Sequence, residues 1–306
     1  LPIFVLSELH LIANNSYQGF EAQKLHLLFQ ATYYLNSGNY KSAIRYYQEL
    51  INLFNDNQHL ILNPPIYYLS AIQGILDSLC IAGLYHETPF FLSKLEELTQ
   101  NEYSTEFILH LKTLIYIYKS NSLLQAGNFE QALELRDKQE NELLKKVTSL
   151  GLESQLRLYL SFAVLGMYTK DYVQARKYMK KIFSLGKLFC AFPSYKIARL
   201  VNLLLQAELG NYDFFENEII SIKRNIRFEK QTYITEKLIF KFIQGYPLPS
   251  YEKARNKRWL QYQKDIQKIE QDKYERQLLK TFDVLAWIES KLTQRSLADI
   301  LAEKAH

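Results

Sequence analysis

The sequence contains few side chains whose type and spacing could support catalysis or bind a metal. Its 306 residues include 6 histidines, and no two of them stand three or four positions apart, the spacing that brings two imidazoles to one metal on a helix. Glycine-rich phosphate-binding motifs and the GxSxG nucleophile motif are also missing. Glu96 and Glu97 are adjacent, so on a helix their carboxylates point in different directions. We therefore expect no catalytic activity, no cofactor and no metal.

Basic side chains are concentrated in the second half of the chain. Residues 1–150 carry a net charge of −5, and residues 151–306 carry +10. Clustered lysines and arginines neutralise phosphates, so this half could bind nucleic acid without reading its bases. The same residues are also typical of solvated helix faces. The candidates for a basic patch are Lys180, Lys181, Lys223 and Arg224.

The composition indicates a folded protein without many turns. Hydrophobic residues make up 48% and charged residues 23%, and 10 Gly with 7 Pro are too few for most β architectures. No segment reaches the roughly 20 apolar residues that cross a membrane, and the opening residues lack the basic start of a signal peptide. Cys80 and Cys190 lie far apart in apolar contexts, which predicts two buried free thiols. We expect a cytoplasmic protein that does not enter a membrane.

A turn motif recurs five times along the chain. The stretch LNSGNYKSAIRYYQEL, at residues 35–50, is echoed by AGLYHET, AGNFEQA, TKDYVQA and LGNYDFF. The aromatic residues of these turns are spaced by 45, 44, 43 and 40 residues, and they are Tyr40, Tyr85, Phe129, Tyr172 and Tyr212. A period between 20 and 50 residues is typical of stacked supersecondary units.

Each position of the turn has a physical role in a helical hairpin. A glycine two residues before the aromatic can end the first helix in a left-handed conformation, and only the fourth turn departs from this, with Lys170. The aromatic fills the wedge between two antiparallel helices. Three residues after it stand Ala43, Ala132 and Ala175, which let the second helix approach the first closely. The flanking runs place apolar residues at helical spacing, so the pattern predicts five helical hairpins.

The first of these units resembles a tetratricopeptide repeat. Tyr34, Gly38, Tyr40, Ala43 and Tyr47 stand at the relative spacings that this family uses for its packing residues. The later units keep the turn but lose much else, and units of 40–45 residues exceed the usual length of about 34. The resemblance implies an all-α fold, an α-α superhelix or solenoid of about five hairpins. The repeat region is expected over residues 1–246, and residues 247–306 are expected to form a C-terminal helical cap.

In the family that the chain resembles, side chains of the first helices face a groove that binds peptides. Transferring those positions by the turn register gives Thr32, Gln73, Asp77, Tyr118, Asn121, Gln125 and Arg157. Such polar side chains can hydrogen-bond a peptide backbone, although each is also an ordinary choice for an exposed helix position. The basic clamp of chaperone-binding members is missing, because leucines such as Leu28 and Leu160 stand at its positions. An apolar groove that accepts a helix or the protein's own tail fits better.

The repeat pattern ends at YPLPS, residues 246–250. The charged run from Ser250 to Leu292 contains no Gly or Pro and is predicted to form one long helix or two. Its last third is the more apolar part, and a solenoid needs an end unit that covers its final hairpin. We expect Phe282 and Trp287 to dock on the run TYITEKLIFKFI, residues 232–243, which is taken as the last hairpin, or in the groove.

The patterns together favour a protein-interaction scaffold or regulatory adaptor without catalytic activity, which binds a peptide or helix in the solenoid groove. A protein or peptide partner is therefore expected. The alternative is a nucleic-acid-associated regulator that uses the basic C-terminal half.

Overall fold

The computed structural model describes residues 19–61, 63–186, 192–229 and 233–305. These residues contain fifteen α-helices and no β-strand, and consecutive helices pack together, so the prediction of an all-α fold of helix pairs is confirmed. The chain forms two compact units that meet between Tyr103 and Ser104, and residues 247–305 lie in the second. The predictions about the opening residues, Cys190 and the ends of two basic runs fall outside the described residues.

The described residues of the first unit form two helical hairpins. Its helices are α1 (Phe20–Asn36), α2 (Tyr40–Asp56), α3 (Ile66–Ala82) and α4 (Thr88–Leu98). Helix α2 begins where the Asn39 side chain accepts a hydrogen bond from the Ser42 backbone N–H at 3.2 Å, which satisfies one of the free donors of a helix start. It buries an apolar stripe between α1 and α3, and these two first helices also contact each other.

The described residues of the second unit form three hairpins, which are followed by further helices and the tail. The hairpins are α5 (Thr105–Gln125) with α6 (Phe129–Lys145), α7 (Leu152–Tyr168) with α8 (Tyr172–Ser184), and α9 (Pro193–Glu208) with α10 (Phe214–Glu229). After them come α11 (Ile234–Ile243), α12 (Glu252–Gln271), α13 (Arg276–Leu279), α14 (Val284–Thr293) and α15 (Leu297–Ala305). Helices α5, α7, α9 and α11 contact one another in this order.

The close-contact position of the predicted turn is buried in all five hairpins. Three residues after the aromatic stand Ala43, Thr88, Ala132, Ala175 and Phe215, and none is more than 6% exposed. In the fourth hairpin a Cβ added to Gly166 would lie 3.1 Å from the Ala175 Cβ, so α7 and α8 approach to backbone distance there. In this hairpin the small residues Gly166 and Ala175 therefore allow the two helices to pack closely.

The turn aromatics themselves are less uniform than expected. Tyr40 is buried, Phe129 and Tyr172 are half-buried, and Tyr212 is 43% exposed. The wedge between the helices is therefore well filled in the first hairpin and only partly filled in the later ones.

The tail contains three helices between residues 250 and 292, where one or two were predicted. Two aspartates explain the breaks. The Asp272 carboxylate accepts a hydrogen bond from the Tyr274 N–H at 2.7 Å, and the Asp283 carboxylate accepts one from the Ala286 N–H at 2.9 Å. Short acidic side chains that bind nearby backbone N–H groups compete with the helical ladder, so α12 ends at the first aspartate and α14 begins after the second.

Candidate functional site

One side of α1 and α3 forms an exposed surface in the first unit. We call it the first-unit face, and it consists of Leu25, Thr32, Ile66, Ser70, Gln73 and Asp77. On each helix these residues stand three, four or seven positions apart, which places them on the same side. Leu25 is 55% exposed and Ile66 is 47% exposed. Leu25 and Ile66 lie in the N-terminal halves of the two helices, and Thr32 and Asp77 lie in the C-terminal halves.

The structure brings two of the predicted groove residues together around one tyrosine. Tyr47 of α2 is buried, and its hydroxyl interacts with the side chains of Thr32 and Asp77. Burial raises the pKa of Tyr47, the hydrogen bond with Thr32 lowers it, and the nearby Asp77 charge raises it. Gly74 allows this arrangement, because a Cβ at that position would overlap the Tyr47 ring. Gln73 lies one helical turn before Asp77 and is half-buried.

A small, shallow cleft, with room for little more than a water molecule, opens beside the apolar end of the first-unit face. Phe20, Phe54 and Tyr68 form its aromatic wall, with ring centroids 5.9 and 6.0 Å apart in edge-to-face contacts. The Lys24 ammonium lies 4.5 Å from the centroid of the Tyr67 ring. This cleft was not predicted from the sequence, although an aromatic in the first turn of α1 and another in the last turn of α2 were a signal for it.

The predicted groove residues of the second unit make internal contacts instead. Tyr118 is only 2% exposed, and its hydroxyl accepts a hydrogen bond from Arg157 Nη2 at 3.1 Å. Arg157 also faces His110, whose pKa is lowered mainly by burial and further by the guanidinium charge. These side chains stabilise the contact between α5 and α7.

The tail covers the side of the second unit where the other two predicted residues lie. Asn121 Nδ2 donates a hydrogen bond to the carbonyl oxygen of Lys280 at 2.9 Å. The Tyr168 hydroxyl accepts one from the Asp283 N–H at 2.8 Å, and the Phe282 ring stacks on the Tyr168 ring with centroids 5.0 Å apart. Gln125 is buried beside the same tyrosine.

The tail also contacts the last helices of this side. Trp287 packs edge-on against Phe242 of α11 at 5.7 Å, which confirms the expected docking on the last hairpin. Phe282 and Trp287 are 2% and 1% exposed. A fully buried large apolar side chain contributes about 1.5–3 kcal/mol, so a peptide would have to displace several such side chains to enter here.

A polar network fixes the far end of the tail. The Glu208 carboxylate on α9 accepts hydrogen bonds from Lys291 Nζ at 2.6 Å and from the Tyr172 hydroxyl at 2.6 Å. The Tyr246 hydroxyl donates to its other oxygen at 3.1 Å. Burial and the Glu208 charge raise the pKa of both tyrosines, so both remain neutral donors. Lys291 stands one helical turn after Trp287, and this pair was not singled out from the sequence.

The four residues of the predicted basic patch differ in their surroundings. Lys180 and Arg224 are exposed. The Lys181 ammonium lies 5.4 Å from the centroids of the Tyr159 and Tyr178 rings, and Lys223 lies 5.6 Å from the centroid of Phe240. Two of the four cations therefore contact aromatic rings on their own surface, where cation–π attraction holds them.

The described residues contain no group of three or more His, Cys, Asp or Glu that could hold a metal ion. No helix within the described ranges is long and apolar enough to cross a membrane. Cys80 is buried and is not part of a disulfide.

No family model, no curated protein and no solved structure matches the chain. The class of this protein is therefore described from its fold and its candidate site alone. It is an all-α protein of consecutive packed helix pairs, compatible with a helical repeat, and it has an open first-unit face and a second unit covered by its own tail.

Proposed function

We propose that the chain is a degenerate tetratricopeptide-like protein that acts in the cytoplasm as a non-catalytic interaction module. Its first-unit face binds a helix or peptide that carries apolar and basic side chains. The observation that carries this proposal is the contrast between the two units. The first-unit face stays exposed beside an open cleft, whereas the corresponding side of the second unit is covered by the tail.

The apolar end of the face supports an anchoring contact. Leu25 and Ile66 are exposed there, and Ile66 also lines the cleft. A leucine or a phenylalanine of a partner would pack against the exposed Leu25 and Ile66 beside the cleft, where burial of apolar surface stabilises the complex.

The polar end supports a basic partner. Asp77 lies on the face, and the described residues of the first unit contain more acidic than basic side chains. The cation Lys24 is buried against aromatic rings and paired with Glu21 at 2.5 Å, so it adds little positive charge to the surface. Charge complementarity speeds association and excludes acidic partners.

A pair of synthetic helical peptides tests the proposal on the full chain. One peptide carries Leu at helical i, i+3, i+4 and i+7 spacing with Lys elsewhere, and the other replaces each Lys by Glu. We expect the Leu/Lys peptide to bind in fluorescence anisotropy and the Leu/Glu peptide not to bind. Leu25→Ser combined with Ile66→Ser should weaken binding about tenfold, since two apolar contacts of about 1 kcal/mol or less are lost.

Asp77→Asn should weaken binding of the Leu/Lys peptide but leave the fold intact. The matched control is Leu260→Ser, because Leu260 is 62% exposed on α12 and lies outside the face. Equal binding of both peptides, or equal loss in the control and in the Leu25/Ile66 variant, would contradict a first-unit site.

A further inference from the structure

Helix α12 presents four lysines on one side. Lys253, Lys257, Lys264 and Lys268 are all exposed, and they stand at steps of four, seven and four residues. On a helix of 3.6 residues per turn these steps confine them to a stripe about 60–80° wide. At 1.5 Å per residue the stripe is about 22 Å long. We call it the lysine stripe.

The opposite side of α12 anchors the helix in the second unit. Tyr262, Ile266 and Ile269 are buried there, and the helix packs against α11 and α14. Two arginines on α12 serve the same packing. Arg255 donates a hydrogen bond to a carbonyl oxygen of the preceding loop at 3.1 Å, and Arg258 donates one to that of Gly245 at 2.8 Å. The stripe is therefore held on a rigid element and faces away from the core.

The lysine stripe has no acidic partner in the part of the chain that the structure describes. The acids of α12 itself, Glu252, Asp265 and Glu270, lie on its other sides. An ordinary exposed helix gains stability from acid–lysine pairs three or four residues apart, and within the stripe only Lys268 has acids at that spacing, Asp265 and Asp272. Four like charges on one side repel each other unless an anion lies against them.

The other exposed side chains beside the lysines are amides. Asn256, Gln267 and Gln271 lie on or next to the stripe, and Leu260 is its only large apolar residue. Asparagine and glutamine donate hydrogen bonds to phosphate and sugar oxygens, as lysine does.

We propose that the lysine stripe binds the sugar–phosphate backbone of a nucleic acid without reading its base sequence. A stripe of cations interleaved with amide donors matches a row of phosphates. An acidic protein partner would be expected to meet an apolar centre with aromatic side chains, and a single leucine does not provide one. A membrane surface would require a broad apolar side on the exposed half of the helix, which α12 lacks.

Fluorescence anisotropy with the full chain tests the proposal. The probes are a labelled 20-base-pair DNA duplex and a labelled 20-nucleotide RNA strand, each at 50 and 200 mM KCl. Release of counterions from about four phosphates predicts an affinity loss of roughly 50- to 150-fold between the two salt concentrations. A preference for the duplex or the single strand identifies which form of backbone is bound.

Two variants with matched charge locate the site. K253Q/K257Q/K264Q/K268Q removes the stripe, and K180Q/K181Q/K223Q/R224Q removes the same four charges from the basic patch. We expect the stripe variant to lose at least about tenfold in affinity at 50 mM KCl, and the patch variant to stay within about threefold of the native chain. Thermal unfolding should show both variants folded, because none of the eight substituted side chains is buried.

Three results would overturn the proposal. The first is that the native chain binds neither probe at 50 mM KCl. The second is an equal loss in both variants, or a loss confined to the patch variant. The third is tighter binding of poly-L-glutamate than of either nucleic acid, which would assign the stripe to an acidic protein. None of these results bears on the first-unit face, which lies on other helices.

Discussion

Lys170 has the backbone conformation of the glycines that occupy its place in the other turns. Its φ is 62°, and Gly38, Gly127 and Gly210 have values of 74°, 76° and 74°. A side chain makes this left-handed conformation costly by about 1 kcal/mol, so the turn geometry of the fourth hairpin is imposed by the packing of α7 on α8.

Replacing Lys170 by glycine should stabilise the protein. We expect the free energy of unfolding to rise by about 0.5–1 kcal/mol in urea denaturation, since the strain disappears. Gly210→Ala is the converse test. A Cβ there meets no neighbour within 4 Å, so any loss of stability comes from the backbone conformation alone. Stabilisation by Lys170→Ala as large as that by Lys170→Gly would show that the side chain, and not the backbone, is strained.

His110 makes stability depend on pH. Burial, with help from Arg157, lowers its pKa below the ordinary value of 6.5 in the folded state. His110 therefore binds a proton more tightly in the unfolded chain than in the folded chain. The free energy of unfolding consequently falls as the pH drops through about 6.5. We expect His110→Asn to flatten the decline in melting temperature between pH 7 and pH 5.5. The control is His59→Asn at an exposed position, which should leave the decline unchanged.

At the scale of helices, the tail holds the start of α11. The Glu275 carboxylate accepts hydrogen bonds from the backbone N–H groups of Ile234 and Thr235, the second at 3.0 Å, and Glu275 is only 4% exposed. A carboxylate at a helix N-terminus satisfies free donors and complements the helix dipole. The cap comes from a residue about forty positions away in sequence, so it joins the tail to the last hairpin.

Glu275→Ala should cost about 1–3 kcal/mol in the free energy of unfolding, because two buried donors lose their partner. Glu275→Gln should cost less, since an amide oxygen can still accept one hydrogen bond. Glu216→Ala provides the comparison, because this acid also stands in the first turn of a helix but is exposed, and a few tenths of a kcal/mol are expected. Similar losses for Glu275→Ala and Glu216→Ala would contradict a structural role for the buried cap.

Sequence patterns predicted the hairpins well because their signals are local. The glycine, the aromatic and the small residue of each turn lie within six positions, and short-range sterics decide what they do. Breaks at Asp272 and Asp283 were missed because an aspartate can either cap a new helix or lie exposed within an old one. Contacts with distant residues decide between these outcomes, as Asp283 shows by donating its N–H to Tyr168.

The candidate site, too, could be predicted only where local sequence patterns decide the structure. The register of the repeats identified which side of each first helix matters, and Thr32 and Asp77 do lie on one surface. The register could not show that Arg157 would form a hydrogen bond with Tyr118, because that pairing depends on how α5 packs against α7.

At the scale of the second unit as a whole, the tail belongs to the core. Trp287→Ala in the full chain should cost about 3–5 kcal/mol, because a fully buried indole leaves a cavity among Phe242, Phe282 and Lys291. Trp259→Ala, at a half-buried position of α12, should cost clearly less. Removal of residues 250–306 should expose the covered side and cause aggregation, measured by light scattering. A truncated chain that stays monomeric and melts at the native temperature would contradict this role of the tail.

The contact between Asn121 and Lys280 also means that α5 is synthesised well before the tail that covers it. These residues are 159 positions apart, and at typical elongation rates of 5–20 residues per second the second is synthesised roughly 8–30 s after the first. Before the end of that interval α5 and α7 have been synthesised, while the apolar side that the tail will cover is still exposed. Nascent chains arrested before residue 280 should therefore be captured by chaperones that hold hydrophobic surfaces, and completed chains should be released from them.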